Sequence, residues 1–486
     1  MGIFLPEFRG ECMVLPGGAQ MTGRRCAGLC PTVLLTSRPF PRMLTSMIRT
    51  HRRCCAALAA IAVFAFPALS MAQKPPSPEK DLNAYLRYVV EQLCIPAVGG
   101  PVGLTQRLGA ILVDGVRPIQ IGNNTVGWRA NYRLRNGDEL RARQQGLDAK
   151  VQTLTMDYYK LFGDDDGELL PYMTVVANAE CQVVNGRRIR YDKDGQQERL
   201  LVYGPGLETM EQSEPLNPPV PKGRDVRGVT VALFGTGINY TLPAFAARLA
   251  RAPNGQSLGY DFWDMDSRPF DSDPSRSPFY PLRYGTQIAS VLLKEAPHIR
   301  LLPYRYPEPD MTLMGDMVRA ADFNHAVIVA MPLASNDKGD WNAFLQAVSR
   351  RPNMLFIIAA GNDGRDIDAQ PVYPAVFHLE NFLVVTASTA KGRVAPGANW
   401  GKNNVDIMVP AENLDVTTFY GGTARATGAN FAVARVAALA ARLLRHNPRW
   451  KAAQIKAAIL KLAGPTPSEG QSVVKYGWIK DPEADF

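Results

Sequence analysis

The feature that most constrains this fold is a series of short, uninterrupted apolar segments in the second half of the chain. They span residues 229–234, 298–304, 326–333, 354–360 and 381–388. A strand that is apolar on both faces must be covered on both faces, as in a parallel sheet. Helical stretches such as LMGDMVRAADFNH and DWNAFLQAVSRR lie between the segments. This pattern predicts an α/β domain with a doubly wound, mostly parallel sheet and helices on both faces, and functional groups where the strands end.

The preceding part of the chain has a different pattern. DLNAYLRYVVEQLC, residues 81–94, carries apolar residues at helical spacing. Strand-like segments follow it, and they are separated by dipeptides typical of hairpin turns: Asn136-Gly137, Asn185-Gly186 and Asp194-Gly195. Residues 76–213 are therefore expected to form a small α+β domain of one helix and a β-meander.

The remaining boundaries follow from composition. Residues 214–225, EPLNPPVPKGRD, are rich in proline and polar residues and are expected to be an extended linker. The α/β domain is expected to span residues 226–463. Residues 464–486 are expected to be a C-terminal tail.

The N-terminus has the organisation of a secretory signal peptide. Basic residues precede the apolar run CCAALAAIAVFAFPALS, and a small-residue cleavage site ends at Ala72. We expect a start at Met43 or Met47, a signal peptide over residues 43–72, and a non-structural upstream extension over residues 1–42. The alternative is a membrane anchor, but the run is shorter than the roughly 20 apolar residues that span a bilayer. A secreted or periplasmic protein without a stable membrane span is expected.

The net charge of +9 does not indicate a nucleic-acid partner. The chain has 54 basic and 45 acidic residues, and residues 1–72 hold eight arginines against Glu7 and Glu11, a net +6. The mature chain is left with 46 basic and 43 acidic residues, a net +3. Because no basic segment remains in it, no nucleic-acid partner is expected.

The cysteines are distributed in the same way. Five of the seven precede the expected cleavage site, which leaves Cys94 and Cys181. Their spacing fits no CxxC metal or redox motif. They form either a disulfide, which an oxidising compartment allows, or two separate buried thiols.

Four motifs follow one another in the α/β half. They read VALFGTGINYTLPAF, YGTQIAS, AAGNDG and NWGKNNVDIMVPAEN. From Val226 to Ala463 the chain resembles the subtilisin-like serine proteases, or subtilases, whose motifs have this order. The resemblance implies a subtilisin-like sheet, and it implies that Asn362 of AAGNDG is the side-chain donor of an oxyanion hole.

The positions of the catalytic triad hold other residues in this resemblance. Gly235 stands where the family has its aspartate, and Tyr284 stands where it has its catalytic histidine. The serine motif has two possible registers, ending at Asn430 or at Ala424, and neither supplies a serine. We prefer Asn430, because the family's nucleophile begins a long buried helix and the helical stretch FAVARVAALAARLL follows Asn430 directly.

Two further segments bear on binding. Subtilases carry Ser-Leu-Gly on the strand that pairs with a peptide, and this chain has Pro332, Leu333 and Ala334 there. Proline has no N–H to donate, so weakened peptide pairing is expected, although the strand could also tolerate the change. Residues 259–275 are acidic but lack the glycine and terminal glutamate of an EF-hand loop. They are expected to be a solvated surface loop, with a calcium site as the alternative.

The sequence therefore predicts a secreted, catalytically silent subtilase fold that acts by binding. Without a carboxylate, an imidazole and a hydroxyl nucleophile, the acyl-transfer chemistry of a triad cannot operate. The expected partner is a polypeptide ligand or an active protease relative, and neither a metal nor a cofactor is expected. Two alternatives remain: a serine endopeptidase or other hydrolase that uses displaced residues, and a chain whose function lies in residues 76–213.

Overall fold

A computed structural model describes residues 75–94, 100–146, 153–163, 167–467 and 473–484. The predicted signal peptide and upstream extension lie outside the described residues. The described residues belong to one compact unit. None of their helices is both long enough and apolar enough to cross a bilayer.

The first half of the described chain is an antiparallel meander of eight strands that follows two helices. Consecutive strands are neighbours, so the sheet order is the chain order. The helices are α1 (Leu82–Cys94) and α2 (Gly100–Leu108), and the strands are β1 (Ile111–Ile121), β2 (Asn124–Arg133), β3 (Glu139–Gln145), β4 (Thr153–Phe162), β5 (Glu168–Ala177), β6 (Val183–Tyr191), β7 (Gln197–Tyr203) and β8 (Met210–Pro215). The sequence predicted one helix in this region, and α2 is an additional one.

One face of the meander sheet packs against α1. The helix buries Leu86 and Val89 against Tyr132 and Met156 of the sheet. A disulfide joins Cys94, the last residue of α1, to Cys181 in the turn between β5 and β6. Of the two alternatives that the sequence left open, a disulfide or two separate buried thiols, the structure contains the disulfide. Closing a loop of this length stabilises a fold by roughly 4 to 5 kcal/mol in the chain-entropy estimate.

Two of the three predicted hairpin turns are confirmed. Gly137 and Gly195 adopt a positive φ in the turns before β3 and β7. The prediction at Asn185-Gly186 is wrong, because both residues lie inside β6. The chain reverses at residues 178–182 instead, where Asn178 N–H donates to the carbonyl of Gln182. Gly186 packs closely against Leu207, since a Cβ there would lie 2.3 Å from a terminal methyl group of that side chain.

The second half is the predicted α/β domain. Its strands are β9 (Thr230–Gly235), β10 (Tyr260–Asp261), β11 (Arg300–Arg305), β12 (Ile328–Met331), β13 (Leu355–Ala359), β14 (Phe382–Ser388), β15 (Ile407–Pro410) and β18 (Gly477–Trp478), with a separate hairpin of β16 (Leu414–Thr417) and β17 (Thr423–Ala426). The parallel sheet has the order β10-β11-β9-β12-β13-β14-β15-β18. Each of the five apolar segments contributes one of these strands, which confirms the predicted fold class.

Six helices accompany this sheet in the described residues. They are α3 (Pro243–Ala246), α4 (Gly285–Glu295), α5 (Met314–Phe323), α6 (Asn342–Ser349), α7 (Ala429–His446) and α8 (Ala452–Lys461). Helix α7 is largely buried, and its many alanines allow close packing against the sheet. Its one buried cation, Arg435, donates to Glu295 and Glu483 at 2.6 Å each. Burial raises the pKa of Glu295 to about 7 despite the pairing with Arg435.

The predicted boundaries of the α/β domain differ from the structure at both ends. Residues 464–486 were expected to be a tail, but Gly477 and Trp478 form the sheet's edge strand β18 beside β15. In the linker, Glu214 and Pro215 belong to β8, and Leu216 is buried. Residues 219–224 are mostly exposed, although Val220 is half-buried against the core of the α/β domain.

We expect limited trypsin digestion to cut first after Lys222, which lies in the exposed part of this linker. Two fragments that meet at this point should appear on a denaturing gel before any other product. A Lys222→Ala/Arg224→Ala variant should delay the cut, because it removes both basic residues of the exposed stretch. A first cut within residues 226–463 would contradict the boundary.

Candidate functional site

The four residues singled out in the sequence lie at the ends of parallel strands or at the starts of helices. Gly235 is the last residue of β9, and Asn362 follows β13. Tyr284 precedes α4, and Asn430 lies in the first turn of α7. These two helices pack against each other. The site is therefore at the strand ends, where an α/β sheet places its functional groups.

Unfilled space adjoins Gly235. The residue is buried, and its carbonyl accepts a hydrogen bond from Tyr306 N–H at 2.9 Å. A Cβ built on Gly235 would meet no heavy atom within 4 Å. The backbone at this position therefore leaves room for a side chain.

A buried carboxylate, Asp271, joins the turn after β9 to the start of α4. It accepts hydrogen bonds from the hydroxyl groups of Thr236 and Thr286, both at 2.5 Å. It also accepts from the backbone N–H groups of Thr286 at 2.8 Å and Gly285 at 3.2 Å. Burial raises the pKa of Asp271, and these donors oppose the rise. Gly285 must be glycine, because a Cβ there would collide with the carbonyl of Gly237.

This contact corrects the expectation of a solvated acidic loop over residues 259–275. Asp261, Asp271 and Asp273 are buried, because each carboxylate accepts hydrogen bonds from neighbouring groups. Asp261 also receives a hydrogen bond from the buried Arg305 at 2.9 Å. Within the described ranges, no group of three or more histidine, cysteine, aspartate or glutamate side chains could hold a metal ion.

Tyr284 is a half-buried aromatic residue at the start of α4. Burial and the carboxylates of Asp273, Asp271 and Glu308 raise its pKa well above the usual range for tyrosine. A phenol with a raised pKa keeps its proton at neutral pH and cannot act as a general base. Tyr284 therefore contributes packing to the site.

The side chains of Asn362 and Asn430 contact each other directly. Asn362 Nδ2 donates to Asn430 Oδ1 at 3.2 Å, and Asn362 Oδ1 accepts from Ala429 N–H at 2.7 Å. Gly428, with φ 144°, makes this approach possible, because a Cβ there would lie 2.8 Å from Asn362 Oδ1. The alternative residue, Ala424, lies in β17 of the separate hairpin and not at the start of a helix.

Asn399 positions the turn that carries Asn362. Its fully buried side chain accepts from Asp363 N–H at 2.9 Å and Arg365 N–H at 3.1 Å. It also donates to the carbonyl of Ala360 at 2.9 Å. The sequence marked Asn399 only as part of a motif, and this role requires contacts that the sequence does not show.

The predicted substrate segment follows β12. Pro332 and Leu333 are buried, and Ala334 is half-buried. The next residue, Ser335, forms two backbone hydrogen bonds with Tyr373, at 2.8 and 2.9 Å. The segment is thus fixed at both of its ends.

The meander domain reaches the edge of this site. Arg283, the neighbour of Tyr284, donates to Glu214 of β8 at 2.6 Å. The hydroxyl of Tyr420, from the β16–β17 hairpin, donates to the other oxygen of Glu214 at 2.9 Å. Because both partners of the ion pair are buried, the contact is poorly screened by water.

Comparison with known proteins identifies the family. Residues 226–478, which are just over half of the chain, match the profile of the subtilase family. The chain belongs to the subtilase family. Subtilase membership agrees with the strand-end position of the site and with the order of its motifs.

One relative found by sequence and two solved structures accompany this match. A subunit of the subtilase cytotoxin of Escherichia coli is 28% identical over 149 residues, an alignment that covers 26% of this chain and 43% of that relative. The chain thus spans less than half of that relative's length. A cold-adapted subtilisin-like serine proteinase is 20% identical, with a TM-score of 0.44, over 54% of this chain and 93% of the other. The structure of the SubAB subtilase cytotoxin assembly gives 20% identity and a TM-score of 0.43, over 53% of this chain and 88% of the other.

We expect Asp271→Asn to destabilise the protein by about 2–4 kcal/mol, because each carboxylate oxygen accepts from two donors and the amide nitrogen would replace one of these oxygens. Chemical denaturation followed by tryptophan fluorescence measures this loss. Asp415→Asn is the matched control, since Asp415 forms an exposed ion pair with Arg425. The control should lose less than about 1 kcal/mol. Equal effects of the two substitutions would contradict the role of Asp271.

Proposed function

We propose that this chain is a secreted, catalytically silent subtilase that acts by binding a polypeptide. The observation that carries the proposal is the contact between Asn362 and Asn430. It places a carboxamide beside the oxyanion donor, where an active subtilase presents its serine hydroxyl. A carboxamide is not a nucleophile, and its oxygen already accepts the hydrogen bond that an oxyanion would need.

The other two triad positions support the proposal. Gly235 offers no carboxylate, and the raised pKa of Tyr284 keeps its hydroxyl protonated. Four histidines lie in the described residues, and none forms a hydrogen bond with Asn362 or Asn430. All four are exposed: His298, His325, His378 and His446. Loss of a complete triad costs on the order of 10⁶ in turnover, and a residual rate of roughly 10³ over water is not useful proteolysis.

The retained backbone supports binding. Pro332, Leu333 and Ala334 still form the segment that pairs with peptide in subtilases, and Ser335 holds its end. Proline cannot donate a backbone hydrogen bond, so a bound polypeptide would depend more on side-chain contacts. We propose a polypeptide ligand or an active protease relative as the partner.

Catalytic silence is tested by restoring the triad. We expect no labelling of the natural protein by a fluorophosphonate probe, and weak but measurable labelling of Gly235→Asp/Tyr284→His/Asn430→Ser. The space beside Gly235 and the turn held by Asp271 should accept the new aspartate and histidine without a large rearrangement. Single substitutions should have no effect, because triad members act as a unit. The matched control carries the first two changes with Asn430→Ala.

Labelling of the natural protein would contradict the proposal and favour a hydrolase that uses displaced residues. A triple variant that folds but is not labelled would have one of two causes. Either Asn430 is not the position of the family's serine, or the cleft has changed too far to support the reaction. Moving the serine to Ala424 in the same background separates these two causes. Because Ala424 lies in a hairpin strand, we expect that variant to remain unlabelled.

Binding at the retained segment is tested with Ala334→Trp, which places a bulky side chain at the half-buried residue of this segment. We expect this variant to lose a polypeptide that the natural protein captures from the secreted fraction. Lys391→Trp, at an exposed turn of the same domain, is the matched control. Capture of the partner by Ala334→Trp at the level of the natural protein and of the control would place the binding site elsewhere.

A further inference from the structure

A cavity of about 290 Å³ lies between the meander and the α/β domain. Strands β5, β6 and β7 contribute Glu168, Tyr191 and Gln197 to its meander wall. Arg305, the last residue of β11, belongs to its α/β wall, and it lies beside Gly235 in the register of the parallel sheet. None of the triad positions is among the described residues that line this space. We call it the interdomain cavity.

Arg305 is the buried cation of the α/β wall. Only 5% of its side chain is exposed, and its guanidinium donates to Asp261 at 2.9 Å and to Asp264 at 2.5 Å. Its Nε has no acceptor within the described residues. Because a buried donor without an acceptor is costly, an acceptor that a ligand brings would be favoured there.

Two further polar side chains of the wall have unused groups. Asn217 donates to Asp266 at 2.8 Å, but its Oδ1 receives no hydrogen bond from the described part of the chain. Ser272 is only 9% exposed, and its hydroxyl forms no hydrogen bond with any described residue. Both residues line the cavity. The wall thus combines an unused donor, an unused acceptor and an unused hydroxyl.

An aromatic ring forms another part of the α/β wall. Trp263 packs against Tyr306 in a T-shaped arrangement, with the ring centres 5.6 Å apart. The Arg305 guanidinium lies 5.0 Å from the centre of the Trp263 ring. These contacts fix the ring but leave Trp263 half-buried, and it lines the cavity. Trp263 therefore offers a ligand a flat apolar surface that is already held in place.

The remaining polar side chains disfavour an anionic ligand. Glu168 and Asp264 both line the cavity, and Arg305, the one cation among the described lining residues, is already shared by two carboxylates. An anion would therefore meet uncompensated negative charge. Gln196 and Gln197 add amide groups, which both donate and accept. The lining favours a neutral ligand with several hydrogen-bonding groups.

We propose that the interdomain cavity binds a neutral carbohydrate through about one or two of its pyranose rings. A hydroxyl group both donates and accepts, so a ligand with several hydroxyls can serve Arg305, Asn217 and Ser272 together. A pyranose also has a face of C–H groups, which suits the electron-rich face of an aromatic ring such as Trp263. The cavity is at the small end of the range of ligand pockets, as a short sugar requires.

The sugar can come from two sources, a free saccharide or a glycan attached to a protein partner. Both present the same ring chemistry to the cavity. Because the meander and the α/β domain each contribute a wall, a bound sugar would contact both domains. The proposal does not depend on whether the triad positions are catalytically silent.

The test measures binding of sugars to the full protein by titration with saturation-transfer-difference NMR. The probes are the methyl glycosides of glucose, galactose, mannose and N-acetylglucosamine. We expect at least one of them to bind saturably. The uronic acid of that sugar carries a carboxylate in place of its CH₂OH group, and we expect it not to bind because Glu168 and Asp264 repel it. A glycopeptide that carries the same sugar distinguishes the sources: tighter binding than the methyl glycoside supports a glycan, and equal binding supports a free saccharide.

Two variants locate the binding. Trp263→Ala should weaken it by at least about tenfold, because the flat surface is lost. Trp450→Ala is the matched control, since Trp450 is also half-buried but packs against the α/β core and does not line the cavity. It should change binding by less than about twofold. Ser272→Ala should weaken binding by about fivefold, through loss of one hydrogen bond to the sugar.

Three outcomes would overturn the proposal. The first is the absence of saturable binding by all four glycosides, and the second is equal binding of a sugar and its uronic acid. The third is an equal loss in Trp263→Ala and Trp450→Ala. Circular dichroism establishes that the variants are folded. If Trp263→Ala is unfolded, Ser272→Ala decides, because its hydroxyl has no bond within the described residues to lose, and unchanged binding by that variant would overturn the proposal.

Discussion

The frame of the site depends on the buried carboxylate of Asp271. Four donors from the turn after β9 and the start of α4 converge on it. A buried carboxylate is costly unless its acceptor sites are used, so removing these donors or the carboxylate would weaken the connection between the two segments. Two further hydrogen bonds join them, from Gly285 N–H to the Thr236 hydroxyl at 3.0 Å and from Asn239 N–H to the Thr286 hydroxyl at 2.9 Å. Asn399 has the same role on the opposite side, where it holds the turn of Asn362.

The turns of the site are held independently of the three positions that align with a catalytic triad. Asp271, Asn399 and close glycine contacts hold them, and none of these residues is one of the three positions. Space remains beside Gly235 in an otherwise ordered site. At the other end, the side chains of Asn362 and Asn430 form a hydrogen bond with each other.

The meander domain is joined to this site. The ion pair between Glu214 and Arg283 connects the last meander strand to the residue before Tyr284. The first three strands lie at the other end of the same eight-stranded sheet.

Local patterns in the sequence determined much of the fold: the five apolar segments required a sheet covered on both faces, and the motif order indicated the subtilase family. The hairpin at Asn185-Gly186 was mispredicted because a turn-forming dipeptide can also lie in a strand when its neighbours pair on both sides. Only the tertiary structure decided which distant segments meet, as Asn362 does with Asn430 and Cys94 with Cys181. The row of Arg117, Arg129 and Arg143 on three neighbouring strands is of the same kind, because cross-strand register and not sequence distance determines which side chains lie opposite one another.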